Sequence, residues 1–159
     1  MRREYDAKFA GVISEPKKVP TTASVLPREL FRNTRGYLED VVRQINASYD
    51  FALYDCCAVM CRRLLETLKI EVYEPKGRAS DVKGVDAHFF MFAPLRGYLE
   101  KDTTLHISRN GFKGLKDFKM LGDLPAHNRR FLAHKDDIDR IRDGLRVAEG
   151  ELLAVAGLK

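Results

Sequence analysis

The strongest constraint in this chain is an apolar seam near its C-terminus. Ile138, Ile141, Leu145, Ala148, Leu152 and Val155 step by three and four without a miss. That spacing places them on one side of a helix over about 136–157, whereas a strand repeats its apolar positions every second residue. Asp136, Asp137 and Asp139 stand at the start, where the positive end of the helix dipole favours carboxylates. The seam is coiled-coil-like, so it packs inside the monomer or partly against a second copy. Either way it needs helical partners.

The preceding sequence supplies them. Pro27 suits the first turn of a helix over 28–48, with Phe31, Leu38, Val41, Val42 and Ile45 as its stripe. Gly36 weakens that helix by about 1 kcal/mol relative to Ala. Asp50 is placed to cap a second helix from Phe51 to Leu68. Tyr54, Cys57, Cys61, Leu64 and Leu68 form its seam, Leu53 and Leu65 widen it, and it is expected to be the most buried helix. Arg62 and Glu66, four apart, can pair on its flank. Arg62 and Arg63 are read as salt-bridge residues ahead of phosphate contacts. Cys57 and Cys61 share the apolar face and read as small core residues, since no second Cys or His pair stands at metal-finger spacing.

Between Ile70 and Val85 the periodicity fails, and Pro75, Gly77, Ser80 and Gly84 mark a loop, with a short strand at Ile70–Tyr73 as the one extended candidate. Pro94 splits the apolar run AHFFMFAPLRGYLE into a short apolar piece and a helical turn or two. Phe89, Phe90 and Phe92 read as core rather than as a stacking platform. Ser108 can cap another helix, with Phe112, Leu115, Phe118 and Leu121 inward and Lys113, Lys116 and Lys119 outward. Gly122-Asp123-Leu124-Pro125 then predicts a kink or a fresh start at Pro125, because a residue before proline avoids helical geometry. The expected fold is an all-α, single-domain bundle of four to five main helices over 27–159. Residues 1–26, with Pro16, Pro20 and little periodicity, are expected to form an extended N-terminal arm.

Hydrophobic residues make up 45% and charged residues 32% of the 159, a balance that suits a soluble globular protein and excludes a disordered one. No apolar run is long enough to span a bilayer and the N-terminus lacks a signal-peptide core, so a cytoplasmic location without membrane association is expected. The formal charge of +5 permits an anionic partner such as RNA, and equally a solvated basic surface. No cofactor and no metal site is expected.

Chemistry concentrates in KMLGDLPAHNRRFLAH, residues 119–134, which holds two of the four histidines. If Pro125 begins a helical turn, His127, Arg130 and His134 lie at i, i+3 and i+7 on one face, with Phe131 beside them and Arg129 turned away. Histidine can take or give a proton near neutrality, and arginine offers a forked donor to phosphate. Two imidazoles and a guanidinium can cleave RNA without metal: one base for the 2′-hydroxyl, one acid for the leaving oxygen, one cation for the charge on phosphorus. Asp123 would orient His127 or cap the new turn. The structural alternative has His127 bonding backbone carbonyls and Arg129 and Arg130 pairing with the acidic start of the last helix.

Three stretches carry a resemblance: YLEDVVRQINASYDFALYDCCAVMCRRLLETLKIEVYE, HISRNGFKGLKDFKMLGDLPAHNRRF and DIDRIRDGLRVAEGELLAVAGL. Together they resemble an uncharacterised bacterial family of the HEPN superfamily, over most of residues 30–158. The resemblance implies a four- or five-helix bundle, frequent homodimers, and roles in defence, toxin–antitoxin and RNA-processing systems. Active members share an arginine four to six residues before a histidine, in a site completed across a dimer. Here Gly122, Asp123, Ala126 and His127 resemble that motif with Gly122 in the arginine's place, while Arg129 and His134 meet the spacing seven residues further on. The resemblance therefore implies a module that dimerises and binds nucleic acid, a nucleotide or a protein partner. The alternatives are a metal-independent endoribonuclease using His127, His134, Arg129, Arg130 and Asp123, and an antitoxin-like or scaffolding protein.

Overall fold

The computed structural model describes residues 23–90, 92–127 and 131–159. Among them are six α-helices: α1 (Arg28–Phe31), α2 (Gly36–Asp50), α3 (Tyr54–Glu71), α4 (Phe92–Lys101), α5 (Arg109–His127) and α6 (Lys135–Val155). Two 3₁₀ turns, Glu74–Lys76 and Ala79–Val82, follow α3. The only extended pairing among the described residues is an isolated bridge between Lys83 and Phe89, so the all-α reading holds.

The seam of the last helix is buried as its spacing requires. Ile138, Ile141, Leu145, Ala148 and Leu152 are buried and Val155 packs at the edge of the core. α5 covers it as an antiparallel neighbour. Ser108 caps α5, its Oγ accepting the Gly111 amide at 3.1 Å, while its own amide and hydroxyl donate to Glu151 at 2.7 and 2.5 Å. The two helices cross so closely that a Cβ on Gly114 would stand 2.1 Å from the Gly144 carbonyl oxygen. Only glycine permits that approach.

The helix expected over 28–48 is broken. Phe31 ends α1, Asn33 takes a left-handed φ of 61°, and the Thr34 hydroxyl donates to the Phe31 carbonyl at 2.5 Å. Asn tolerates that conformation and Thr competes for helical carbonyls, so the chain turns here and Gly36 becomes the first residue of α2. Pro27 precedes α1 as its extended N-cap rather than lying inside its first turn. Asp50 likewise closes α2 instead of capping α3. Ala52, at a φ of 58°, makes the turn, and Leu53 is the N-cap.

α3 is longer than its period suggested and absorbs the expected strand. Ile70 and Glu71 are its last residues, and Val72 continues the step of Leu65 and Leu68 into the core. Burying that third residue on the same face favours helix over an extended run. Pro94 sits third in α4, where a helix needs no amide donor, so it opens the helix rather than splitting it. α5 runs through Pro125 to His127 with no break. Leu121 is buried just before this stretch and Phe131 packs on the core just after it, which holds the chain in register despite the lost amide.

α3 is the central element. Cys57, Ala58, Cys61, Leu64, Leu65 and Leu68 are fully buried on it, and it touches α2, α4, α5 and α6. Of residues 1–26, only 23–26 are described. Val25 and Leu26 are fully buried, held by Asn46, whose Oδ1 accepts both their amides at 2.9 Å and whose Nδ2 donates to the Leu26 carbonyl at 2.9 Å. No described helix is long and apolar enough to cross a membrane.

Candidate functional site

His134 stands at the N-terminal end of α6 in extended conformation, φ −112° and ψ 166°, with its side chain exposed. Its amide donates to Asp137 Oδ2 at 3.0 Å, so the first turn of the helix is closed by a carboxylate three residues on. The helical face expected to carry His127, Arg130 and His134 does not form. α5 ends at His127, residues 131–134 lie outside any helix, and α6 begins only at Lys135. Asp123 and His127 belong to the last turns of α5; their side chains, like Arg129 and Arg130 altogether, lie outside the described residues.

The turn at His134 is joined to α3 and to α2. Asp55, in the first turn of α3, accepts the Ala133 amide at 2.7 Å. That bond ties the α5–α6 connection to the α2–α3 connection. On the side toward α2, Asp139 accepts from Tyr49 Oη at 2.6 Å, from Lys135 Nζ at 2.5 Å and from Arg142 Nη1 at 3.2 Å. Hydrogen bonds from Lys135 and Tyr49 hold the Asp139 carboxyl below the usual carboxylate range, and burial followed by the bond to Asp139 pushes Tyr49 up. Lys135 also lies 5.5 Å from the centroid of the Tyr49 ring, which meets Tyr54 edge-on at 5.7 Å.

The opposite flank of the same turn faces α5. Residues 137, 140 and 141 are offset from 135, 139 and 142 around the helix, and with Lys113, Asp117, Leu121 and Phe131 they line a groove of about 510 Å³. Lys113 pairs with Asp117 at 3.4 Å and Arg140 approaches Asp137 at 3.7 Å, and with both cations exposed these are weak pairs. The described cations around His134 thus each face a carboxylate, and the turn is rich in Asp. Among the described residues no group of three or more His, Cys, Asp or Glu side chains is placed to hold a metal ion.

The same end of the bundle exposes large apolar side chains. Phe51 and Leu53 lie in the α2–α3 connection, 49% and 53% exposed, and Leu132 in the α5–α6 connection is 66% exposed. The period of α3 carried back to Leu53 predicts a core position, but Leu53 is the N-cap and lies outside the helix. Tyr49 and Asp55 carry no signal in the sequence, and Asp139 is legible there as part of the acidic start of the last helix. Lys135 and Asp139 are visible as an i, i+4 pair, but Tyr49 meets Asp139 across 90 residues and no local pattern announces it.

Comparison with family models, with curated proteins and with solved structures finds no match to this chain.

Proposed function

We propose that the chain is a HEPN-like, single-domain helical module that dimerises and binds a nucleic acid, a nucleotide or a protein partner, using the bundle end around His134, rather than cleaving RNA. The observation that carries this reading is the grouping of Phe51, Leu53 and Leu132 at one end of the bundle, tied together by the bond from the Ala133 amide to Asp55. Exposed apolar side chains brought together by two connections have the character of a contact surface. Gly122, standing where active members of the resembled family carry an arginine, supports binding over catalysis.

Light scattering on the full chain tests the first half. A dimer that Leu53→Glu combined with Leu132→Glu converts to a monomer, with the helical circular dichroism unchanged, supports it. A wild-type monomer at all concentrations refutes it. Binding of labelled single-stranded RNA at two salt concentrations, followed by gel analysis in EDTA, tests the second half. Cleavage abolished by His134→Ala or His127→Ala would replace this reading with the endoribonuclease.

A further inference from the structure

Residues 23–26 are held as a strap between α2 and α6. Arg146 Nε donates to the Val25 carbonyl at 2.7 Å and its Nη2 to the Ala23 carbonyl at 3.4 Å, while Arg142 Nη1 reaches the Ser24 carbonyl at 3.4 Å. From α2, Asn46 binds the Val25 and Leu26 amides, and Asp50 accepts the Ser24 hydroxyl at 2.6 Å. Val25 and Leu26 are fully buried in this arrangement.

Glu149 follows Arg146 by three residues, so the two side chains leave α6 on the same side. It is fully buried, and neither carboxylate oxygen has a hydrogen-bond partner among the described residues. A carboxyl so placed is stable only with its proton on. Among the described residues, Arg146 is the charged group that acts on it. α3 brings the thiol of Cys61, which bonds to Cys57 and is raised, hence neutral. α5 meets this part of α6 through Gly114, against Gly144 and Ala148, and α2 contributes neutral Asn46 at the strap, with Asp50 on Ser24. The guanidinium thus has two competing partners one turn apart. While Glu149 is neutral it faces the strap carbonyls. An ionised carboxylate attracts it more strongly than a carbonyl does, above all in a low-dielectric interior.

We propose that Arg146 and Glu149 form a proton-operated catch on the strap: when Glu149 releases its proton to solvent, its carboxylate draws the Arg146 guanidinium off the Ala23 and Val25 carbonyls and residues 23–26 lift away. The apolar bed of Val25 and Leu26 between α2 and α6 then opens to water. The closed strap binds one proton more than the open one, so it is shut in acid. Each pH unit above the ordinary 4.5 multiplies the open population by about ten, until the native carboxyl itself titrates.

Hydrogen exchange of the Val25 and Leu26 amides, followed by NMR on the full chain from pH 5 to 8, tests this. Hydroxide catalysis alone raises the rate about tenfold per pH unit. Opening coupled to the loss of one proton adds about tenfold more, so wild type should rise about a hundredfold per unit and Glu149→Gln only about tenfold. Equal slopes in the two proteins overturn the proposal. The Leu64 amide, in the middle of α3, reports opening of the whole bundle, and at pH 7 the strap amides should exchange at least about tenfold faster than it. Equal rates at every pH would mean that the strap has no motion of its own, which overturns the proposal as well. Arg146→Met should speed exchange of both strap amides by about tenfold or more at pH 5, because a hydrogen bond from a charged group is lost. Arg146→Lys, which keeps the charge, should restore part of that protection. Arg146→Met exchanging like wild type at pH 5 overturns the role of the guanidinium.

Discussion

Replacing Glu149 by glutamine should make the protein more stable, by an amount that grows with pH. Glu149 faces inward from α6, fully buried, and neither carboxylate oxygen has a hydrogen-bond partner among the described residues. Burial pushes its carboxyl well above the ordinary 4.5, with Arg146 opposing only in part. The buried thiol of Cys61 feels the same group and is itself raised, first by its bond to Cys57 and then by burial. In the native protein Glu149 therefore keeps a proton that the unfolded chain has released. More protons are bound to the folded state, so stability falls as pH rises from 4.5 toward the folded value. The loss is about 1.4 kcal/mol for each pH unit over which the native carboxyl stays protonated. Glutamine keeps the shape and cannot ionise. Wild type and Glu149→Gln should be close at pH 4 and diverge above 4.5 at that slope, or roughly 3–6 °C in melting temperature per unit for a chain of this size. Urea titrations of both proteins from pH 4 to 8 measure the difference, in which contributions from all other titrating groups cancel. A difference that does not change with pH would refute the reasoning, because Glu149 would then be ionised in the native state and compensated there. Glu149→Met, which removes the polar atoms as well, should be at least as stable as the glutamine variant.

Lys69 should show the mirror image. Burial lowers its ammonium to about 7, so the unfolded chain holds the extra proton, and wild type should gain on Lys69→Met as pH rises from 7 to 10.5, the gap seen in denaturant titrations at pH 7 and 10. Gly114→Ala should cost about 1–3 kcal/mol in urea unfolding, since its Cβ would strike backbone of Gly144 that has no side chain to move aside. Gly150→Ala, in the same α5–α6 pair but with nothing within 4 Å of the added carbon, should instead stabilise by about 0.5–1 kcal/mol. Asn46→Ala should cost roughly 2–4 kcal/mol, because it strands the buried amides of Val25 and Leu26, and limited proteolysis should then cut near residues 23–26.

The helices were legible where one face is buried along its whole length. The seam of α6 and the core cysteines of α3 could be read directly, since a 3.6-residue period survives any arrangement of neighbours. Ser108 was legible as a cap because its partner amide is three residues away. Boundaries set by local competition were not. Asn33 and Thr34 divide the first helix, Ala52 shifts the α2–α3 turn past Asp50, and Pro125 is carried through the end of α5. Asn33 and Thr34 act through their own backbone and side-chain preferences, whereas at Pro125 a local preference for a break is overruled by the packing of Leu121 and Phe131 on either side.

The candidate site divides in the same way. That residues 119–134 join two helices and carry histidine and arginine was plain from the sequence. That His134 sits at the mouth of α6 and not on a shared helical face depended on where α5 stops and α6 starts. The placing of Phe51, Leu53 and Leu132 on two joined connections and the meeting of Tyr49 with Asp139 each bring together residues from separate elements. By itself the sequence determined an all-α architecture and the inward face of its main helices, because apolar burial acts through a period written into neighbouring residues. Only the tertiary structure decided which polar groups meet, which glycines touch, and which carboxyl is buried without a partner among the described residues. Those depend on distances between residues far apart in the chain, and no local period encodes them.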